Sequence, residues 1–353
     1  MADYALCSNC FQDQGLRLDA EWIGIEDSST CPKCGATAGR KLTGEMAERL
    51  AHQFFVWGTT HRFDYGSAPL VQFNKHQSTS IDTAPWLKPD LRLFEAVLGV
   101  GFFYYGPRLW MVGEVEPLKA LRDPATRSSV ISRILNEYPT ISLSTERVFY
   151  RLRRWPKKPE DFEEYDSPPV AVAGSGRLDA EGFPVMYASQ DLQVCIHECR
   201  VIAEDELFVA TLAPTRDLRL LDLTELLLEE NVTEFESLDM AVHMLFLAGK
   251  QSYEITREVA LASHAAGYDG LIYPSYFSLL RTGAMPFETM YGISHRRISQ
   301  FADRERSKII GNLAVFGRPI EQGRVRVLCI NKLILNRVVY GINFGPVGCK
   351  PFP

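Results

Sequence analysis

Amphipathic stretches alternate along this chain with short apolar runs bounded by glycine and proline. GEMAERLAHQFFVWG places Met46, Leu50 and Phe54 at four-residue intervals, flanked by Phe55 and Trp57, which is the spacing of a helix with one face on a core. LRLFEAVLGVGFFYYGPRLWMVG is apolar with glycine breaks. ATRSSVISRILNEYP predicts a short helix that stops before Pro139, because the residue ahead of a proline is pushed out of the helical region. VFYRL, PVMYA, LFVATLAP, LRLLDL, LIYP, NLAVFG and RVRVLCINKLIL read as strands, and a long helix is predicted from about Leu238 to Ala266. Between them, PKKPEDFEEYDSPP (156–169) reads as a charged loop near a pocket or a linker, with its charges in solvent. There is no internal repeat and no low-complexity tract.

One helix carries an anomaly. PVMYA, opened by Gly182 and Pro184, closes at Ser189, which is expected to cap a helix with Asp191 in its first turn. At about 100° per residue, Leu192, Cys195, Ile196, Cys199 and Ile202 form an apolar arc that Val194 and Val201 extend, opposite a wet side of Gln193, His197 and Arg200. Glu198 falls between Val194 and Ile202, inside the apolar sector. A carboxylate there is either a border residue reaching solvent or a group with partners and work to do.

At 353 residues the chain is expected to hold two or three domains. An apolar content of 46%, with 20 Phe and 14 Tyr, supplies ample core. A formal charge of −6 argues against nucleic acid or an anionic membrane as a whole-protein partner. No apolar run reaches a membrane-spanning length, and MADYALCSNC lacks the layout of a signal peptide, so a cytoplasmic protein is expected.

Cysteine spacing then adds the strongest single motif. Cys7 and Cys10, a gap of twenty residues, and Cys31 and Cys34 have the spacing of a four-thiolate zinc ribbon, with Gly35 placed for the tight turn of the second knuckle. Four thiolates close the coordination sphere, so the ion expected is structural Zn2+ and not a catalyst. The remaining four of the eight cysteines sit in apolar contexts as free thiols. The segment between the knuckles is acidic, which also argues against nucleic acid. His52 and His61 read as surface or core histidines. The organisation expected is a ribbon at 1–45, a mixed helical module at 46–145 and a catalytic domain at 146–353.

The order Arg151, Gly176-Arg177, Tyr187, Glu198 and, much later, Gly267-Tyr268-Asp269-Gly270-Leu271-Ile272-Tyr273-Pro274-Ser275 resembles the RES domain, a family named for its Arg, Glu and Ser residues. The resemblance covers roughly Glu146 to Tyr340. One departure is Leu178-Asp179, where many members carry an aromatic or Phe-Asn pair. The ribbon followed by FFVWGTTHRFDYGSAPL resembles a module attached to RES and HEPN domains in bacteria, which implies a regulatory or partner-sensing role. For the fold, the resemblance implies an α+β protein: a zinc ribbon and a small mixed α/β module ahead of an ADP-ribosyltransferase-like mixed α/β domain. For activity, it implies degradation of NAD+, in some members with inorganic phosphate as acceptor, typically by the toxin of a bacterial toxin–antitoxin pair or by a defence effector. An antitoxin or regulatory protein is then the expected partner, and a homodimer stays open.

The residue types suit that chemistry. The nicotinamide of NAD+ already carries positive charge and leaves without a general acid, so the catalyst must hold the pyrophosphate and offset the oxocarbenium-like ribose. Arg151, Tyr187, Glu198 and Ser275 are the expected catalytic group, with Tyr150, Gly176, Arg177 and Tyr273 binding substrate. No Walker loop, HExxH or GxSxG is present. Two alternatives remain: ADP-ribosylation of a macromolecule, against which Glu198 sits in His-Glu-Cys and not Glu-x-Glu, and a non-catalytic sensor.

Overall fold

The computed structural model of the chain describes residues 3–63, 66–104, 115–285, 287–290, 293–337 and 342–351. The end of the apolar stretch expected at 91–113 lies outside them, as does the side chain of His61. The class is α+β, as expected, built on one large mixed sheet and an amino-terminal four-cysteine module.

In that module β1 (Tyr4–Cys7) pairs antiparallel with β2 (Lys41–Thr43). Half of the acidic segment between the cysteine pairs is a helix, α1 (Gln14–Ile23), capped by the Asp13 carboxylate on the Leu16 N–H at 3.0 Å. Next come α2 (Gly44–Ala51), continued by a wider turn through Val56, then β3 (Val71–Asn74), α3 (Lys88–Leu98) and β4 (Gly101–Tyr104). Leu6, Phe11 and Leu16 share a single apolar cluster with Leu50, Phe55, Phe94 and Phe102, so the core does not divide at residue 45. His52 is buried there against Phe73. The carboxyl-terminal segment returns to the same module, where the Phe344 N–H meets the buried Asp19 carboxylate at 3.1 Å.

From residue 115 onward the chain builds a second core. Helices α4 (Glu116–Arg122) and α5 (Pro124–Glu137) precede β5 (Thr140–Leu143) and β6 (Phe149–Arg154). They are followed by β7 (Val185–Ser189), α6 (Leu192–Glu198), β8 (Leu207–Pro214), β9 (Leu218–Asp222), α7 (Leu238–Leu247), α8 (Tyr253–Ala265), β10 (Gly270–Pro274), β11 (Gly311–Phe316) and β12 (Val325–Leu333). The eight strands β5 to β12 form one sheet in the order β12-β8-β6-β7-β11-β10-β9-β5, antiparallel except where β9 meets β10. Strand alternation divides its residues between two clusters. Val185, Leu271, Ala314 and Phe316 face α4, α5, α7 and α8, while Met186, Leu313 and Val315 pack with Phe149 and Tyr165. Since α4, α5 and β5 belong to this core, it begins well ahead of the expected boundary at 146.

The long helix expected from Leu238 to Ala266 is broken. Helix α7 ends at Leu247, Ala248 and Gly249 leave the helical region, and a tight turn at Lys250–Ser252 starts α8. Apolar periodicity continues on both sides of AGKQS, which hid the break. The charged segment 156–169 is likewise not merely solvated: Tyr165 and Asp166 are buried, and the Asp166 carboxylate accepts the Ser167 and Glu321 N–H groups, each at 2.8 Å.

Candidate active site

Glu198 is the last residue of α6. The helix is capped by Asp191, which accepts the Val194 N–H at 3.0 Å, and not by Ser189, whose hydroxyl is taken up with the Gly311 carbonyl. It stops early because Arg200 turns the chain at φ 48°, a left-handed conformation that costs an L-residue about 1–2 kcal/mol. Val201 and Ile202 therefore leave the helix, and the apolar sector expected around Glu198 never closes. The carboxylate is exposed in a cavity. Its neighbours are specific: Ser275 Oγ donates to Glu198 Oε1 at 2.7 Å, and Asn312 Nδ2 donates to the same oxygen at 2.6 Å. Ser275 Oγ also accepts the Phe277 N–H at 3.1 Å, so it caps its turn and orients the carboxylate together.

The cavity encloses about 650 Å3, a volume usual for small-molecule sites. Glu198 is the one carboxylate among its described lining residues, against Arg151, Arg153, Arg177, Arg200 and Lys250. Arg151, on β6, is 6% exposed and donates to the Tyr187 and Asp166 carbonyls at 2.6 and 3.0 Å. Burial, with the like charge of Arg153, lowers its pKa to about 10. Arg177 donates to the Ala248 carbonyl at 2.9 Å, so the break after α7 anchors it, and its guanidinium lies 5.0 Å from the Tyr253 ring centre. The side chains of Arg200 and Lys250 are exposed and make no hydrogen bond or ion pair among the described residues.

With this geometry in place, residues 148–283 match the family model of the RES domain. The chain carries a RES domain. No curated protein matches it. A similar solved structure is the crystal structure of the M. tuberculosis MbcT-MbcA toxin–antitoxin complex, at 15% identity over 58% of this chain and 91% of that chain, with a TM-score of 0.33. Strands β11 and β12 complete the sheet beyond the matched stretch of the RES domain, and with β11 comes Asn312.

The RES domain brings Arg151, Gly176, Arg177, Tyr187, Glu198 and Tyr273 to one cavity, with Ser275 behind Glu198. Tyr150 is a correction. Tyr150 packs against the cluster of Leu152, Cys195, Leu207 and Val209; Leu152 and Cys195 reach the cavity lining, whereas Tyr150 is not among the described residues that line it. The Tyr187 hydroxyl is already engaged within the protein. It accepts the Leu178 and Asp179 N–H groups at 2.8 and 3.1 Å and donates to Asp179 Oδ1 at 2.7 Å, so it shapes the 174–179 loop and leaves only its ring for a ligand. Asn312, Lys250 and Tyr253 were not foreseen.

Asp179, the departure noted in the sequence, is the centre of that loop. Its Oδ2 accepts the Gly174 N–H at 2.6 Å, and a Cβ on Gly176 would collide with its Oδ1, which is why glycine stands there. Burial alone would raise the Asp179 carboxyl, but the Tyr187 hydroxyl and the Gly176 and Gly174 N–H groups outweigh it and hold the pKa below its usual value. A depressed carboxyl stabilises the fold above its unfolded pKa of about 3.9 and loses that stabilisation as pH falls through the folded value. Asp179→Asn is expected to cost on the order of 1–3 kcal/mol at pH 7. The gap in melting temperature to the wild type should close below about pH 4. A gap that persists unchanged to low pH would place the effect elsewhere.

In the amino-terminal module the four sulfurs converge. Cys7 Sγ lies 3.9 Å from Cys10 Sγ and 3.6 Å from Cys34 Sγ, and Cys10 and Cys31 are 3.6 Å apart. A tetrahedral ion with Zn–S bonds of about 2.3 Å requires sulfurs about 3.8 Å apart, so this donor set fits zinc. Gly35, at φ 75°, makes the second knuckle turn. Burial alone would raise the Cys31 thiol, but the Cys34 and Lys33 N–H groups lower it to about 7. A second cluster, Glu288, His295 and Glu305, also has converging ligand atoms. There Lys308 Nζ already bonds both carboxylates, so its ammonium holds the place a metal would take.

Proposed function

We propose that this protein cleaves the nicotinamide–ribose bond of NAD+. The observation that supports it is a single carboxylate, Glu198, fixed by two neutral donors in a cavity whose other charged lining residues are cations, within a RES domain. Nicotinamide leaves as a neutral base, so no general acid is needed. Arg177, Arg200 and Lys250 supply positive charge for the diphosphate, the Tyr187 and Tyr273 rings line the wall beside the nicotinamide riboside, and Glu198 offsets the charge that develops on the ribose. Water and inorganic phosphate are the two acceptors considered, giving a glycohydrolase or a phosphorylase. We read the protein as a bacterial toxin or defence effector acting in the cytoplasm, checked by an antitoxin or regulatory protein, with structural zinc held by Cys7, Cys10, Cys31 and Cys34. Among the described residues no helix is long and apolar enough to cross a membrane.

Purified protein incubated with NAD+ should release nicotinamide. Release alongside ADP-ribose indicates hydrolysis, and release that requires added phosphate and yields a phosphorylated ADP-ribose indicates phosphorolysis. Release only when a macromolecular acceptor is added would transfer the function to ADP-ribosylation. No release under any of these conditions would overturn it.

The two arginines should separate in such an assay. Arg177→Ala removes a diphosphate contact made alike in ground and transition states, so KM should rise with kcat little changed. Arg151→Ala should lower both affinity and rate. It should also lower the melting temperature, because the Tyr187 and Asp166 carbonyls lose their donor. An Arg177→Ala enzyme with a normal KM would remove that arginine from the diphosphate site.

A further inference from the structure

We propose that Asn312 is a positioning residue, which locks the Glu198 carboxylate in place while leaving its negative charge unneutralised. This assignment rests on the NAD+-cleaving role given to Glu198 above. Asn312 is 4% exposed and stands in β11, paired with Ser189 of β7 on one side and Tyr273 of β10 on the other. It is therefore held at the middle of the sheet, where backbone hydrogen bonds on both flanks leave it little freedom. Its Nδ2 reaches Glu198 Oε1 at 2.6 Å.

The arrangement around the carboxylate has two chemical consequences. First, Asn312 and Ser275 both donate to Oε1, so Oε2 has no hydrogen-bond partner among the described residues and is the oxygen free to meet a ligand. Second, both donors are neutral. Five cationic residues line the same cavity, yet none of them forms an ion pair with Glu198. A guanidinium or ammonium bonded to the carboxylate would cancel its charge before the ribose becomes positive, and the attraction gained on the way to the transition state would shrink. An amide and a hydroxyl fix the geometry without that cancellation, which is the preorganisation that a developing cation rewards. Ser275 sits on a turn beyond the end of β10, whereas Asn312 sits inside the sheet, so Asn312 is the more rigid of the two anchors.

A double-mutant cycle on nicotinamide release tests this, using Asn312→Ala, Glu198→Gln and the two combined. Asn312→Ala should lower kcat by about tenfold to 10²-fold with KM within about threefold of wild type, and in the Glu198→Gln background the same change should alter kcat by less than about twofold. Equal losses in both backgrounds, with a lowered melting temperature, would mean a purely structural residue and overturn the proposal. Should Asn312→Ala fold poorly, Asn312→Asp keeps the shape and sets a second carboxylate against Glu198. It should lose activity at neutral pH and regain part of it on acidification, when a shared proton restores a donor, and an unaltered pH profile would count against the role. A crystal structure of Asn312→Ala decides the positioning role without any assay. A Glu198 carboxylate that leaves its place beside Ser275 supports the role, and one unmoved in a single orientation overturns it. If the wild type releases no nicotinamide, the NAD+ function falls while that structure still judges Asn312.

Discussion

Glu198→Gln should lower nicotinamide release by about 10²-fold or more, or about 2.7 kcal/mol of transition-state stabilisation, in a protein that folds normally. Glutamine keeps the length of the side chain and can still present an oxygen to Ser275 Oγ and Asn312 Nδ2, so what disappears is the charge. The ground state of NAD+ carries its positive charge on the nicotinamide ring. As the bond breaks, that charge passes to the ribose, and only a negative group placed there gains by the transfer. Glu198 is exposed in the cavity and pays no burial penalty, so the melting temperature should stay within experimental scatter. If the wild type is toxic on expression, this variant should be the one cells tolerate. Wild-type turnover in a well-folded Glu198→Gln protein would remove the carboxylate from the chemistry and the active site with it.

What the sequence made legible follows from range. Seven of the eight strands of the large sheet are legible because each is a short apolar run closed by Gly, Pro or a polar turn, whereas the edge strand β5, TISL, alternates with polar residues and is not; the Cys7, Cys10, Cys31, Cys34 set is legible because thiol spacing is a local pattern. The errors have local causes too. Ser189 and Asp191 are both good caps, and nothing in their vicinity showed that the Ser189 hydroxyl would be taken by Gly311, 122 positions away. Arg200 in a left-handed conformation is invisible to periodicity, so periodicity extends the helix too far and places Glu198 in an apolar sector that does not form. Asn312 was beyond reach altogether: it meets Glu198 across 114 positions of chain, and an Asn at the start of an apolar strand has no local signature. The carboxylate was legible, but the donors that make it useful were only partly so.

The second large effect concerns the cysteines. Cys31→Ser should reduce zinc from one per chain to none and unfold the amino-terminal module while nicotinamide release persists within a few-fold. Metal binding to such a set is folding free energy, since the unfolded chain has no preformed site. Cys7 at the end of β1 and Cys31 in the second knuckle are both buried, and the ion would tie the strand to the turn. Without it, buried Lys41, whose Nζ bonds the Thr37 and Gly39 carbonyls at 2.8 and 2.9 Å, would hold that turn alone. The damage should not stop at residue 45. Leu6, Phe11 and Leu16 share their core with Phe55, Phe94 and Phe102, so faster hydrogen exchange is expected across 3–104 and in the 342–351 segment that docks on α1. The candidate active-site cavity is lined, among the described residues, from 151–312, and Phe103 is the amino-terminal residue packed against the core beneath it, so the cavity should survive. Wild-type protein purified without stoichiometric zinc would remove the metal from this account, and exchange confined to residues 3–45 would show that the shared core does not couple the two halves of the module.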